Sequence, residues 1–149
     1  MAEETVFEQS FPVQGGDFAN AGEASCKVKD ILKEIGVGSE IIRRVAIAAY
    51  EAEMNVVMYA RKGEIHVSIS PETVDLVIED EGQGIENIDL AMQEGYSTAT
   101  EEMREMGFGA GMGLPNMKKN GDEFDITSTV DEGTRISIRF HMETEMSQR

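Results

Sequence analysis

Thr73-Val74-Asp75-Leu76-Val77-Ile78-Glu79-Asp80-Glu81-Gly82-Gln83-Gly84 decides how the chain is read. Val74, Leu76 and Ile78 recur at a period of two, the pattern of a strand with one buried face, and the same period puts Asp80 on that face at the strand's end. A carboxylate pointing at a core costs several kcal/mol unless paired, so a hydrogen-bond donor on a ligand is expected opposite Asp80. Gly82 and Gly84 remove side chains immediately beyond the acid and leave room for a flat ligand to approach backbone. Asp and Gly are also ordinary turn residues. The strand phase favours a site, because a surface turn has no need of an acid on the apolar side.

Working outward, Glu64 to Ser70 alternates in the same way and is separated from the run at Thr73 to Asp80 by Pro71-Glu72, which predicts an antiparallel pair. Upstream, Ser39 is a natural N-cap for a helix reaching about Ala60, with Ile41, Val45, Ala48, Ala52, Val56 and Tyr59 along one face, and Gly63 ends the turn that follows. An earlier helix is predicted over Asp17 to Ile35, stopping at Gly36, and an edge strand over Thr5 to Val13, interrupted by Pro12 and closed by Gly15-Gly16. Downstream, residues 81 to 113 read as a long Gly-rich loop with a helical turn or two near Glu86 to Gln93. A short helix at Leu114 to Asn120, strands at Glu123 to Val130 and Thr134 to His141, and a turn at Glu132-Gly133 complete one domain over residues 1–142. The last residues, 143–149, form a polar tail.

Composition narrows the function. The chain has 149 residues, one domain's worth, with 13 Lys and Arg against 29 Asp and Glu for a net charge of −16. That balance repels a phosphate backbone and an anionic membrane surface, so neither nucleic acid nor membrane is an expected partner. No apolar run approaches the ~20 residues of a spanning helix, and MAEETVFEQ has neither the basic nor the apolar region of a secretion signal, so a cytoplasmic location is expected. Cys26 is a single cysteine, and His66 and His141 are too scattered for a zinc site.

Two further motifs carry chemistry. Glu51 and Asn55, four apart on the second helix, project from one face beside Ala48 and Ala52. A Glu there is solvated more often than not, yet a carboxylate and an amide oxygen side by side are hard donors suited to Mg²⁺ and to proton transfer. Gly107-Phe108-Gly109-Ala110-Gly111-Met112-Gly113, glycine at every second position before a helix, can be a hinge or can curl its N–H groups around a phosphate chain at the helix's positive end. It is neither a P-loop nor a dinucleotide fingerprint, since the spacing is two throughout. Lys118 and Lys119, one turn on, are candidates for charge balance, though solvated surface lysines are the plainer reading.

Taken in order, Glu51-x-x-x-Asn55, Asp80-x-Gly82-x-Gly84, Gly107-x-Gly109-x-Gly111-x-Gly113 and Gly133-Thr134 resemble the N, G1, G2 and terminal Gly-Thr boxes of the GHKL (histidine-kinase-like) ATPases, over roughly residues 5 to 140. The stretches Tyr59 to Ile65, Gly95-Tyr96-Ser97-Thr98 and Leu114-Pro115-Asn116-Met117-Lys118 look like the branch of anti-sigma factors and switch-protein serine/threonine kinases. The resemblance implies a two-layer α/β sandwich with helices on one face of a mixed, mostly antiparallel sheet, and ATP with Mg²⁺ as cofactors. It implies Asp80 on the adenine amino group with Thr134 beside it, Asn55 on Mg²⁺, and Glu51 as general base toward a partner's hydroxyl or water. Gly107, Gly109, Gly111 and Gly113 would wrap the phosphates, and Arg104 in the lid would reach the γ-phosphate; Ala99 to Met106 is longer than usual for the branch. The implied activity is serine/threonine phosphotransfer to a STAS-domain regulatory protein. Two alternatives stand beside it, an anti-sigma factor that holds a sigma factor with nucleotide as its switch, and a nucleotide-sensing ATPase module. Relatives in this branch dimerise, which makes a homodimer an expectation by analogy.

Overall fold

The computed structural model describes residues 5–95 and 113–142. Five strands, β1 (Phe7–Gln14), β2 (Ala60–Ile69), β3 (Thr73–Gly82), β4 (Glu123–Thr129) and β5 (Gly133–His141), form one sheet in the order β1-β2-β3-β5-β4. Helices α1 (Glu23–Ile35), α2 (Ser39–Tyr59) and α4 (Gly113–Asn120) cover one face, and a single turn, α3 (Ile88–Ala91), follows β3. The inward residues Ile65, Val67, Leu76, Ile78, Ile138 and Phe140 meet Val28, Leu32, Val45, Ala48, Ala52 and Val56 in one core, while Asp75, Glu79, Arg135 and Arg139 lie on the outer face. This is the expected two-layer α/β sandwich, with the period-two and period-3.6 patterns meeting across one interface.

The sheet differs from expectation in one respect. Every pairing is antiparallel, where a mixed sheet was expected. β3 and β4 do run the same way, but β5 folds back from its hairpin with β4 and inserts between them, so the parallel strands never touch.

Several boundaries move for identifiable reasons. The helix predicted from Asp17 begins instead at Glu23, after a 3-10 turn at Phe18–Asn20, because Gly22 at its N-cap takes the left-handed conformation with φ 104°. The exposed N–H groups there are met from another helix: buried Glu53 of α2 accepts from Gly22 at 2.9 Å, Ala24 at 3.2 Å and Ser25 at 2.8 Å. Ser39 is the first residue of α2 and not its cap; Gly38 holds the cap position, with no side-chain hydrogen bond. Gly63 does not end a turn. β2 starts at Ala60 directly after α2, and Gly63 lies within it opposite Asp80, where an added Cβ would sit 2.9 Å from both Glu79 O and Val56 Cγ1. Strand β1 is an edge as expected. Gly15 N–H bonds to Arg61 O, so counting back in twos, Val13, Phe11 and Gln9 turn their backbone groups to β2 and Pro12 falls at a position facing the free side.

Candidate functional site

Glu51 and Asn55 lie on the edge of α2 that receives α4, both half-buried. Helix α4 docks through Leu114 and Met117, three residues apart and both buried, with Pro115 in the first turn where its missing N–H costs nothing. Its first residue, Gly113, stands over the pair: a Cβ there would lie 3.5 Å from Asn55 Oδ1 and 3.5 Å from Glu51 Oε2. Carboxylate, amide oxygen and helix N-terminus therefore converge on one small space. Asn116 Nδ2 donates to Glu51 Oε2 at 3.4 Å, and Asn120 Nδ2 to the Asn116 carbonyl at 2.8 Å. At the far end Arg44 of α2 donates to the Asn120 carbonyl at 2.8 Å, pairs with Asp122 at 3.1 Å and lies over the Phe140 ring. Burial pushes the Asp122 carboxyl up, but the His141 N–H and the Arg44 guanidinium outweigh it and hold the group below its ordinary value.

The second half of the site is built by β3 and the β4–β5 hairpin. Asp80 Oδ1 accepts the Thr134 N–H at 3.1 Å, a donor from the protein itself where a ligand's was expected, and Oδ2 accepts nothing among the described residues. Burial raises the Asp80 carboxyl above its ordinary value, with the Thr134 hydrogen bond opposing. Glycine at 133 is what allows the approach, since a Cβ there would collide with the Asp80 carbonyl. Ser128 organises the surroundings: its hydroxyl meets the Thr134 hydroxyl at 2.8 Å, donates to Gly133 O at 3.0 Å and accepts the Ile85 N–H at 2.7 Å. Gly82 N–H to Glu132 O and Asp131 N–H to Gln83 O tie the segment after Asp80 to the same hairpin.

The structure thus places Glu51, Asn55 and Gly113 together, and Asp80 with Thr134. Gly82 and Gly84 have a packing reason to lack side chains. A Cβ on Gly82 would sit 2.8 Å from Ala60 Cα, and one on Gly84 would collide with the Thr129 carbonyl, so the space left there holds protein backbone. Gly107, Gly109, Gly111 and Arg104 lie outside the described residues, as do Tyr96 to Met106 and the tail at 143–149. Lys118 and Lys119 fall in the last turn of α4, away from Gly113, where they complement the helix dipole. Sequence assigns Asn116 no role beyond its place in a branch-like stretch and passes over Ser128, because a neutral amide on a helix and a hydroxyl on an alternating strand carry no signal of their own.

The donor set suits a magnesium nucleotide. Mg²⁺ is usually held by one or two carboxylates with substrate phosphates and water completing its shell, so Asn55 Oδ1 and the Glu51 carboxylate are the oxygens available to hold it, while the helix N-terminus suits the phosphates; no cluster of three His, Cys, Asp or Glu occurs among the described residues. Asp80 Oδ2, which accepts nothing among the described residues, has the chemistry to take a hydrogen bond from an amine. A separate cavity of about 660 Å³ opens at the end of α2, lined by Gly15, Met58, Arg61 and Gln83 among others, and includes none of Glu51, Asn55, Asp80 or Thr134.

Comparison with known proteins agrees with this architecture. The chain is 33% identical over 112 residues to the serine/threonine-protein kinase RsbT of Bacillus subtilis, covering 72% of this chain and 78% of that one. It is 38% identical over 114 residues to the anti-sigma F factor of Anoxybacillus flavithermus, covering 76% and 71% respectively. Among solved structures, the RsbU and RsbW domains of Rv1364c from Mycobacterium tuberculosis superpose with a TM-score of 0.60 at 15% identity over 90% of this chain, which spans 32% of that longer one. The SiaB-SiaC complex of Pseudomonas aeruginosa gives 0.54 at 11% identity over 94% of this chain and 92% of that one. These two share the fold. The family model for the histidine kinase-like ATPase domain matches residues 17–140, and the chain belongs to that family.

Proposed function

We propose that the protein is an ATP-dependent serine/threonine kinase that phosphorylates a STAS-domain regulatory protein in the cytoplasm. The observation that carries this reading is the convergence of Glu51 Oε2, Asn55 Oδ1 and the N-terminus of α4 at Gly113 on the helix layer, with Asp80 at the end of β3 in the sheet layer keeping an oxygen that accepts nothing among the described residues. Bound Mg²⁺ supplies positive charge for the triphosphate, and Asn55 is the residue to hold it. Asp80 accepts the adenine amine with Thr134 alongside, and Gly113 leads the phosphates onto the helix N-terminus, following Gly107, Gly109 and Gly111. Glu51 takes the proton from the partner's Ser or Thr hydroxyl as its oxygen bonds to the γ-phosphorus, the β–γ bridging bond breaks, and ADP leaves. The similarity to RsbT, named a serine/threonine-protein kinase, supports the assignment.

Incubation with a purified STAS-domain protein and γ-labelled ATP tests it: label on Ser or Thr is expected, and no transfer defeats the kinase reading. Glu51→Ala should cut transfer by about 10²–10⁴-fold, the usual worth of a positioned base, while ADP binding survives. Retained transfer removes Glu51 from that role. The second reading, an anti-sigma factor with nucleotide as its switch, is favoured by the 38% identity to an anti-sigma F factor. Co-elution with a sigma factor on gel filtration that depends on ATP would select it.

A further inference from the structure

We infer that Asn116 is a positioning residue for Glu51, setting which carboxylate oxygen faces the acceptor hydroxyl. The inference rests on the kinase reading and names one residue more. Asn116 Nδ2 donates to Oε2 of Glu51, and Oε1 accepts nothing among the described residues. A carboxylate on a long helical side chain samples several orientations; one donor fixed on one oxygen selects among them and leaves the other for the proton.

What makes the amide a fixed reference is its own support. Asn116 lies on α4, whose carbonyls at 116 and 120 are tied in turn by Asn120 Nδ2 and by Arg44 Nε, each at 2.8 Å. Arg44 and Glu51 are seven residues apart on α2, two turns of one face, while Asn116 and Asn120 are one turn apart on α4. The two helices are therefore pinned at both ends of a short ladder, with the carboxylate at one end and the Arg44–Asp122 pair at the other. The 3.4 Å contact is long for a bond to a charged acceptor. Catalytic hydrogen bonds of unliganded sites commonly tighten when substrate fills them.

The test is a double-mutant cycle on the full chain with γ-labelled ATP and a purified STAS-domain protein. Asn116→Ala is expected to lower kcat about tenfold, the scale of one orienting hydrogen bond, with KM for ATP within about twofold of wild type. Asn116→Asp, which sets a second carboxylate against Glu51, is expected to fall further. In a Glu51→Gln background Asn116→Ala should lower the residual rate no further. An unchanged kcat in Asn116→Ala overturns the inference and leaves the kinase reading standing, and so does an equal loss in both backgrounds. A loss accompanied by a matching fall in unfolding temperature and ADP affinity assigns Asn116 to packing and overturns it too. Absence of transfer by the wild-type chain defeats the kinase reading first, and the inference with it.

Discussion

Asp80 is where one side chain carries most of the interpretation. Its carboxyl is raised by burial, so the folded chain binds that proton more tightly than the unfolded chain does. The stability it contributes is full below its ordinary value of 3.8 and is lost as pH rises through the raised folded value. Asp80→Asn should therefore stabilise the nucleotide-free protein at pH 7, with the gain vanishing below about pH 4, as thermal unfolding across pH would record. The same substitution should weaken ADP binding by about 10- to 100-fold, because the amide oxygen keeps the Thr134 N–H and turns its NH₂ toward an amine that is itself a donor. Calorimetry reads this directly, and undiminished affinity would separate Asp80 from purine recognition. The acid was legible from sequence because a period of two needs no knowledge of the neighbours. Its partner was not legible from periodicity, since Thr134 arrives from 54 residues away, and only the resemblance set Thr134 near it.

At the scale of elements, α2 does several tasks at once. Its outer edge presents Glu51 and Asn55, its inner stripe of Val45, Ala48, Ala52 and Val56 packs on the sheet, and Glu53 between them closes the start of α1. Glu53→Ala leaves three N–H groups at a helix start without an acceptor and should cost about 2–4 kcal/mol by urea unfolding, with Glu53→Gln costing less. Hydrogen exchange should rise first in Glu23 to Leu32. A loss below about 1 kcal/mol would mean that water serves that helix end as well as the carboxylate. The stripe and the four-residue spacing of Glu51 and Asn55 follow from helical periodicity and were readable. The start of α1 was not, because a glycine's letter does not show its φ, and Gly22 takes the left-handed conformation that keeps the helix from starting earlier. Gly63 was misread for a related reason: a glycine required by a close approach within a strand has the same letter as one required by a turn. Here Val56 and Glu79 crowd it, and neither contact is local.

For the whole molecule, a net charge of −16 opposes an anionic nucleotide even though the site itself turns a helix N-terminus toward it. Screening shortens that repulsion from about 30 Å at 10 mM salt to about 8 Å at 150 mM, so the association rate of a fluorescent Mg·ADP should rise across that range in stopped flow. A falling rate would mean that the local field at α4 prevails over the global one. The elements were evident from the alternation of periods along the chain and the sandwich was implied by the family resemblance, but the insertion of β5 between β3 and β4 depends on pairings no segment announces. The imino acid on the outer flank of β1 bears on how two copies of the chain would meet. With one amide hydrogen missing from that border, a second ribbon laid alongside finds its ladder broken at one rung, so lateral growth of the sheet from this side is discouraged. Any self-association is thereby steered toward the opposite margin or the broad surfaces.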